Sequence, residues 1–376
     1  MKLSVIIVSY KVPCYVDQCI VSVQRATKDI DSEVFVVDNH SQDGTVAHLK
    51  SRFGDSITVI DSNHNLGFAR ANNIAIRRSR GEYVLLLNPD TFVSEESIRQ
   101  VLAFMDAHPQ AGGAGARMRN ADGTLARESR RAVPTPYVSL MKMLGFTGRY
   151  YMSHLKWDAP GRIDVMSGAF CMLRRSALDR VGLLDEDFFM YGEDIDLSCR
   201  IRNGGYENWY VPADIVHYKG ESTQKSSFRY VHVFYQAMLI FFRKHYRNLS
   251  LFYTLPIKAA IYLRALLALV QLQYHRLRKS MGFVSSQPAM NYVFVGGQKM
   301  LDECRELVLR KALVATFVAA SHDETIAPDR NQCVVYDTGT FSFADIIRRS
   351  AADGQSLIGT YSTDTHVLIT PHEIIQ

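Results

Sequence analysis

The sequence predicts an α/β protein built on a mostly parallel sheet, with a smaller α/β unit at its carboxyl end. Three observations carry this. Short β-rich runs alternate with helix-like segments over residues 1–115. Runs such as "VIIVS" and "VLLLN" are apolar without a break, as strands covered by helices on both faces must be. The alternation then returns after residue 290.

The elements follow in order. "KLSVIIVS" reads as a first buried strand; it is too short an apolar run for a signal peptide and lacks a small-residue cleavage site. "YVDQCIVSVQRA" reads as a helix, "SEVFVVDN" as a strand, "DGTVAHLKSRF" as a helix and "SITVIDS" as a strand. "GFARANNIAIRRS" is helix-like, and "EYVLLLNPD" is a strand that stops at Asn88-Pro89-Asp90. Proline removes a donor and fixes φ, so the strand cannot run on, and Asp90 is left at its carboxyl end. Open α/β sheets bind ligands at that edge. "SEESIRQVLAFMDAH" is expected to be a helix capped by Ser94.

Residues 116–165 hold Pro134, Pro136, Arg127, Arg130 and Arg131, and are expected to form loops or a flap. Order resumes over 163–218, with a strand-like "IDVMSGAFCMLRR", a short helix and "GEDIDLSCRIRNGGYENWYVP". From 228 to 280 the chain is rich in aromatics and leucine. Arg243, Lys244, Lys258 and Arg264 interrupt every run before it reaches the roughly 20 residues that span a bilayer. Interfacial helices on an anionic membrane surface fit this pattern; the alternatives are a packed helical layer or an oligomer interface. Residues 281–290 read as a linker, and 291–376 as a small Rossmann-like unit of unknown role. Its Gly296-Gly297 pair is no dinucleotide fingerprint, so a structural or regulatory role is expected.

Composition is globular, with 47% hydrophobic and 22% charged residues and a formal net charge of +5. The basic residues are dispersed, which disfavours nucleic acid as a partner. Six cysteines without a CxxC read as reduced thiols in a cytosolic setting.

Four features carry chemistry. Asp38 ends a strand in "VVDN". "NHNLGFARANN" sets Asn63, Asn65, Gly67 and Arg70 in a loop entering a helix, where a glycine admits close backbone approach and the helix amino end favours phosphate. Asp90 is a hard oxygen donor suited to Mg²⁺ or Mn²⁺. "YGEDIDLSCRIR" brings Glu193, Asp194 and Asp196 close together, and adjacent carboxylates raise one another's pKa toward a base near neutral pH. "HYKGES" adds His217 and Lys219. Each has a structural reading as well: Asp38 as a helix cap, Asp90 as a turn residue, the acidic cluster as a solvated helix start, His217 as a satisfied polar residue.

Taken together, "VIIVSY", "VVDN", "NLGFARANN", "LLLNPD", "SGAFCMLRR", "FFMYGEDIDLSCRIRNGGY" and "HYKGES" resemble family 2 of the inverting, GT-A-fold glycosyltransferases, most closely its rhamnosyltransferase-like branch. The resemblance spans about residues 1–245. It implies a GT-A domain over 1–227. It implies that Asp38 contacts the nucleobase of a nucleotide-sugar donor, with Tyr10, Asn65, Gly67, Arg70 and Asn88 completing that pocket. Asp90 stands at the metal-binding carboxylate of the family's DxD motif, with Asn88 where the first Asp would be. His217 would help to hold the metal or diphosphate. Asp194 would be the general base, with Glu193 as fallback. Ser167 and Gly168 would line the acceptor side, and Trp209 would stack on a sugar. The implied donor is thymidine-diphospho-rhamnose, and the implied acceptor a lipid-linked or growing surface glycan, met at the inner face of the cytoplasmic membrane. The competing readings are a nucleotidyltransferase, which would normally show a glycine- and lysine-rich loop after the first strand, and a catalytically silent scaffold.

Overall fold

The computed structural model describes residues 1–218, 228–246, 290–319 and 329–376, with scattered positions between 255 and 278. The first half of the chain forms a nine-stranded sheet. Its amino-terminal part is β1 (Leu3–Ser9), α1 (Pro13–Ala26), β2 (Ser32–Asp38), α2 (Thr45–Phe53), β3 (Thr58–Asp61), α3 (Phe68–Arg78) and β4 (Tyr83–Leu87). β3, β2, β1 and β4 lie side by side and parallel. Every residue of β1 and β4 is buried, because helices cover both faces.

Beyond β4 come β5 (Thr91–Val93), α4 (Ser97–Ala107), β6 (Ala111–Arg119), α5 (Pro136–Met143), β7 (Gly161–Ile163), β8 (Phe170–Arg174), α6 (Arg175–Val181), α7 (Glu193–Asn203) and β9 (Glu207–His217). β8 pairs antiparallel to both β4 and β6, β6 runs parallel to β9, and β5 and β7 pair antiparallel to β9. Two local expectations need correction. α4 starts at Ser97, after Glu96, and Ser94 Oγ only accepts from Ser97 N at 3.2 Å. The segment expected to be loop or flap holds α5 and β7, with Thr135 capping α5 through its hydroxyl.

α8 (Phe228–His245) packs Phe241, Phe242 and Ala237 against Phe188, Ile195 and Cys199. Of the stretch expected to lie in a membrane interface, residues 247–254 and scattered positions after them fall outside the described residues. Its described positions between 255 and 278 are helical and expose Leu255, Tyr262, Leu266, Val270 and Leu277. Among the described residues, no helix is long and apolar enough to cross a membrane.

The carboxyl-terminal unit comprises β10 (Asn291–Gly296), α9 (Gln298–Lys311), β11 (Val314–Ala319), β12 (Gln332–Asp337), α10 (Phe343–Asp353), β13 (Leu357–Ser362), β14 (Val367–Ile369) and β15 (Ile374–Ile375). Its sheet order is β11-β10-β12-β13-β14-β15, the first four parallel. It shares an apolar cluster with the larger sheet: Tyr15, Phe92, Val216 and Tyr218 meet Val295, Tyr336, Phe343 and Ile346. Glu95 caps α10 from across this seam, both carboxylate oxygens accepting at 2.9 Å from Phe343 N and Ala344 N.

Candidate active site

The parallel strands end along one edge, and the predicted residues gather there. Asp38 closes β2, and its buried carboxylate accepts from Ser41 N at 2.9 Å and Ser41 Oγ at 2.5 Å. Ser41 in turn accepts from Lys11 N, which brings the Tyr10–Lys11 turn beside it. Asn39, not singled out from sequence, ties this edge to the next loop. Its amide donates to Asn65 Oδ1 at 3.0 Å, and its carbonyl oxygen accepts from Leu66 N at 2.8 Å. Asn65 also accepts from Gly67 N.

Gly67 has φ 78°, and a Cβ there would lie 2.3 Å from the Phe189 carbonyl oxygen. Phe68 N donates to that same oxygen at 2.7 Å. The close approach that the glycine permits is therefore by the chain's own 188–192 segment. Arg70 is half exposed and pairs with Glu186 at 3.0 Å. Asn73, Arg77 and Arg70 together hold the Glu186 carboxyl below its ordinary range. Arg70 thus faces Glu186 rather than Asp38.

At the tip of β4, Asp90 is buried and lies 3.2 Å from His217 Nε2. Asn88 Nδ2 lies 3.4 Å from the same nitrogen. β5 and β9 hold this arrangement by pairing Thr91 with His217, and Tyr218 N donates to the Asp90 carbonyl at 3.0 Å. A carboxylate and an imidazole side by side suit Mn²⁺ or Mg²⁺ when a diphosphate supplies further oxygens. Among the described residues, no group of three or more His, Cys, Asp or Glu side chains is arranged to hold a metal by itself. Lys219 lies outside the described residues.

Asn88 N donates to the Ala169 carbonyl at 3.1 Å, and this joins the strand tip to the acidic cluster. Gly168 N donates to Asp194 Oδ2 at 3.4 Å, and Ser167 Oγ accepts from Ala169 N at the same turn. A side chain at Gly168 would meet the Phe68 ring at 3.6 Å, so the two loops line one space.

Asp194 and Glu193 open α7 after two left-handed residues, Tyr191 (φ 68°) and Gly192 (φ 86°). The partner of Asp194 comes from the segment expected to be loop or flap. Arg131, its side chain 12% exposed, donates from Nη2 to Asp194 Oδ2 at 2.5 Å and to the Met166 carbonyl at 2.6 Å. Burial disfavours the Arg131 charge, but Asp194 outweighs it and the guanidinium pKa is raised. Glu193 is buried, and its Oε2 has no hydrogen-bond partner among the described residues. Burial, and then the neighbouring Asp194 charge, push its carboxyl up to about 8. Asp196 turns the other way. It is fully buried and takes Arg200 at 2.7 Å, Lys244 at 2.8 Å and His245 at 2.7 Å. Burial alone would raise its pKa, but these partners hold it well below the carboxylate range. Asp196 therefore anchors α8 to α7.

Trp209 is a correction. It sits eight residues before His217 on β9, near the other end of that strand. Its ring packs on Phe104 and His108, and its Nε1 donates to Glu207. It is part of the α4 packing.

The family model for glycosyl transferase family 2 matches residues 4–182. An N-acetylglucosaminyl-diphospho-decaprenol L-rhamnosyltransferase of Mycobacterium tuberculosis is 28% identical over 258 residues, 64% of this chain and 83% of that one. The low-salt glycan biosynthesis hexosyltransferase Agl10 of Haloferax volcanii is 31% identical over 211 residues, 53% of this chain and 61% of that one. The solved structure of the mannosyltransferase PcManGT from Pyrobaculum calidifontis, in complex with GDP-Man and Mn²⁺, superposes with a TM-score of 0.48 at 19% identity, over 83% of this chain and 81% of that one. The family match spans residues 4–182, and together with these relatives it makes the chain similar to glycosyl transferase family 2, rhamnosyltransferases included.

Proposed function

We propose that the protein transfers a sugar, rhamnose by preference, from a nucleoside diphosphate to a hydroxyl of a lipid-linked or growing surface glycan, with inversion. The name of the mycobacterial relative supports the sugar and the lipid-linked acceptor. One observation carries the reading. An unbroken chain of contacts runs from His217 and Asp90 through Asn88, Ala169 and Gly168 to Asp194. A pair of groups fit for a metal-diphosphate and a carboxylate fit for a proton thus line one edge of the sheet.

Asp38, Ser41 and the Tyr10 turn form the nucleotide end of this edge. Asp90 and His217 would hold Mg²⁺ or Mn²⁺ against the diphosphate, with Asn88 beside them. Bound there, the ion would neutralise charge on the leaving diphosphate. The acceptor hydroxyl enters over Ser167 and Gly168. Asp194 removes its proton, its Oδ2 oriented by Arg131 and Gly168 N. The hydroxyl oxygen bonds to the anomeric carbon as the bond to the diphosphate oxygen breaks on the opposite face. Glu193, held protonated near neutral pH, spares Asp194 a second negative charge alongside it. We place the protein at the inner face of the cytoplasmic membrane, with the exposed apolar positions between 255 and 278 in contact with lipid.

Calorimetry with a panel of nucleoside diphosphates and nucleotide sugars, with and without Mn²⁺, tests this reading on the wild type and Asp90→Ala. Metal-dependent binding of one nucleotide, lost in the variant, is the expected result. No binding to folded protein would favour a silent scaffold.

A further inference from the structure

α5 leaves an apolar face uncovered close to the acidic cluster. Tyr137, Leu140, Leu144 and Phe146 are each more than half exposed, and Leu144 and Phe146 reach 63% and 64%. The first three recur at helical spacing, so they form one stripe, and Phe146 extends it past the helix end. Scattered exposed hydrophobics are ordinary, but four neighbours on one short element are a patch.

The charge carried by the patch's own segment has one sign. Residues 129–157 contain no aspartate or glutamate. Lys142 and Arg149 lie within the same stretch, Lys142 over the Tyr150 ring and Arg149 over the Tyr137 ring. An apolar stripe whose own segment carries cations and no acidic residue is complementary to an anionic lipid surface, where acyl chains take the leucines and phenylalanine and headgroups take the amines. α5 also connects directly to the chemistry. Pro136, at the start of α5, comes five positions after Arg131, which pairs with Asp194, a reach of at most about 18 Å.

We infer that the α5 face is a membrane-docking surface for an anionic phospholipid bilayer, distinct from the 228–280 segment, and that it sets the acceptor side of the cleft at the lipid boundary. The inference deepens the proposed function, since an acceptor carried on a lipid then enters from the membrane beside Asp194.

The test uses the full chain and vesicles of phosphatidylcholine with and without phosphatidylglycerol. The double variant Leu144→Glu/Phe146→Glu changes only exposed side chains, so its fold is checked by circular dichroism and its donor site by nucleotide calorimetry. The expected result is an at least tenfold weaker partition onto anionic vesicles with nucleotide binding unchanged. Lys142→Glu/Arg149→Glu should lose only the preference for phosphatidylglycerol. Phe146→Trp should gain quenching by brominated lipid over the wild-type background. Unchanged partition of the double variant, or no added quenching, overturns the inference. So does a loss of self-association, seen by sedimentation, in place of a loss of lipid binding, because the face would then join two copies. Vesicle binding that needs this face in a protein that binds no nucleotide would sink the proposed function and leave the docking surface standing.

Discussion

Arg131 donates to Asp194 Oδ2 at 2.5 Å and to the Met166 carbonyl at 2.6 Å, so one largely enclosed guanidinium ties the candidate base to the chain before β8. Removing it leaves a half-buried carboxylate without its cation. Arg131→Met should cost about 3–5 kcal/mol of stability, as breaking a buried pair typically does. Arg131→Lys should recover part of the stability but less of the turnover, since lysine cannot present two fixed donors at once. Urea unfolding and turnover on the same preparations check both.

Glu193 gives a pH signature. Its folded carboxyl titrates near 8, against an ordinary value of 4.5. Between those values the unfolded chain has released the proton while the folded chain keeps it. Stability therefore falls as pH rises through this window, by at most about 1.4 kcal/mol per pH unit. Glu193→Gln removes the ionisation and should flatten the decline in Tm between pH 5 and 8. A slope equal to wild type would place the proton elsewhere.

Gly67 should not tolerate a side chain. Its positive φ and the Phe189 carbonyl 2.3 Å from a built Cβ both oppose alanine. Gly67→Ala should destabilise by about 2 kcal/mol or more, and donor affinity should fall as the Asn39–Asn65 link shifts. Denaturant melts with nucleotide titration read both effects.

Asp196 is expected to act on α8 rather than on chemistry. Asp196→Asn leaves Arg200, Lys244 and His245 around a neutral amide and should cost about 3 kcal/mol. The wild-type contribution is present above the unfolded carboxylate pKa and is lost as pH falls through the lowered folded value. Stability of wild type and variant should therefore converge in acid. Hydrogen exchange across 228–245 should rise in the variant at neutral pH.

The parallel half of the fold was legible because a doubly covered strand leaves an apolar run that nothing else imitates. The places of Asp38 and Asp90 at strand ends, and of Asp194 at a helix start, were legible because carboxylates stand out where an ordered run stops or begins. Arg131 was not, since an arginine in an irregular segment carries no periodic signal, and only the tertiary fold brings it to Asp194. Trp209 misled for a related reason. An aromatic on a strand reads alike at either end, and its distance from His217 becomes visible only once both are seen to lie on β9. Gly67 was noticed correctly, but the sequence could not say that its close neighbour is Phe189. The docking of the carboxyl-terminal unit through Tyr15, Phe92 and Phe343 also leaves no local pattern, because each of these residues looks like ordinary core.

The most direct measurement is release of nucleoside diphosphate from thymidine-diphospho-rhamnose in the presence of a lipid-linked acceptor, for wild type and Asp194→Asn, with donor affinity measured alongside. The account predicts a rate at least about a hundredfold lower with donor affinity little changed, as expected when a general base is lost. Near-normal turnover in Asp194→Asn would contradict the assignment of Asp194 as the base.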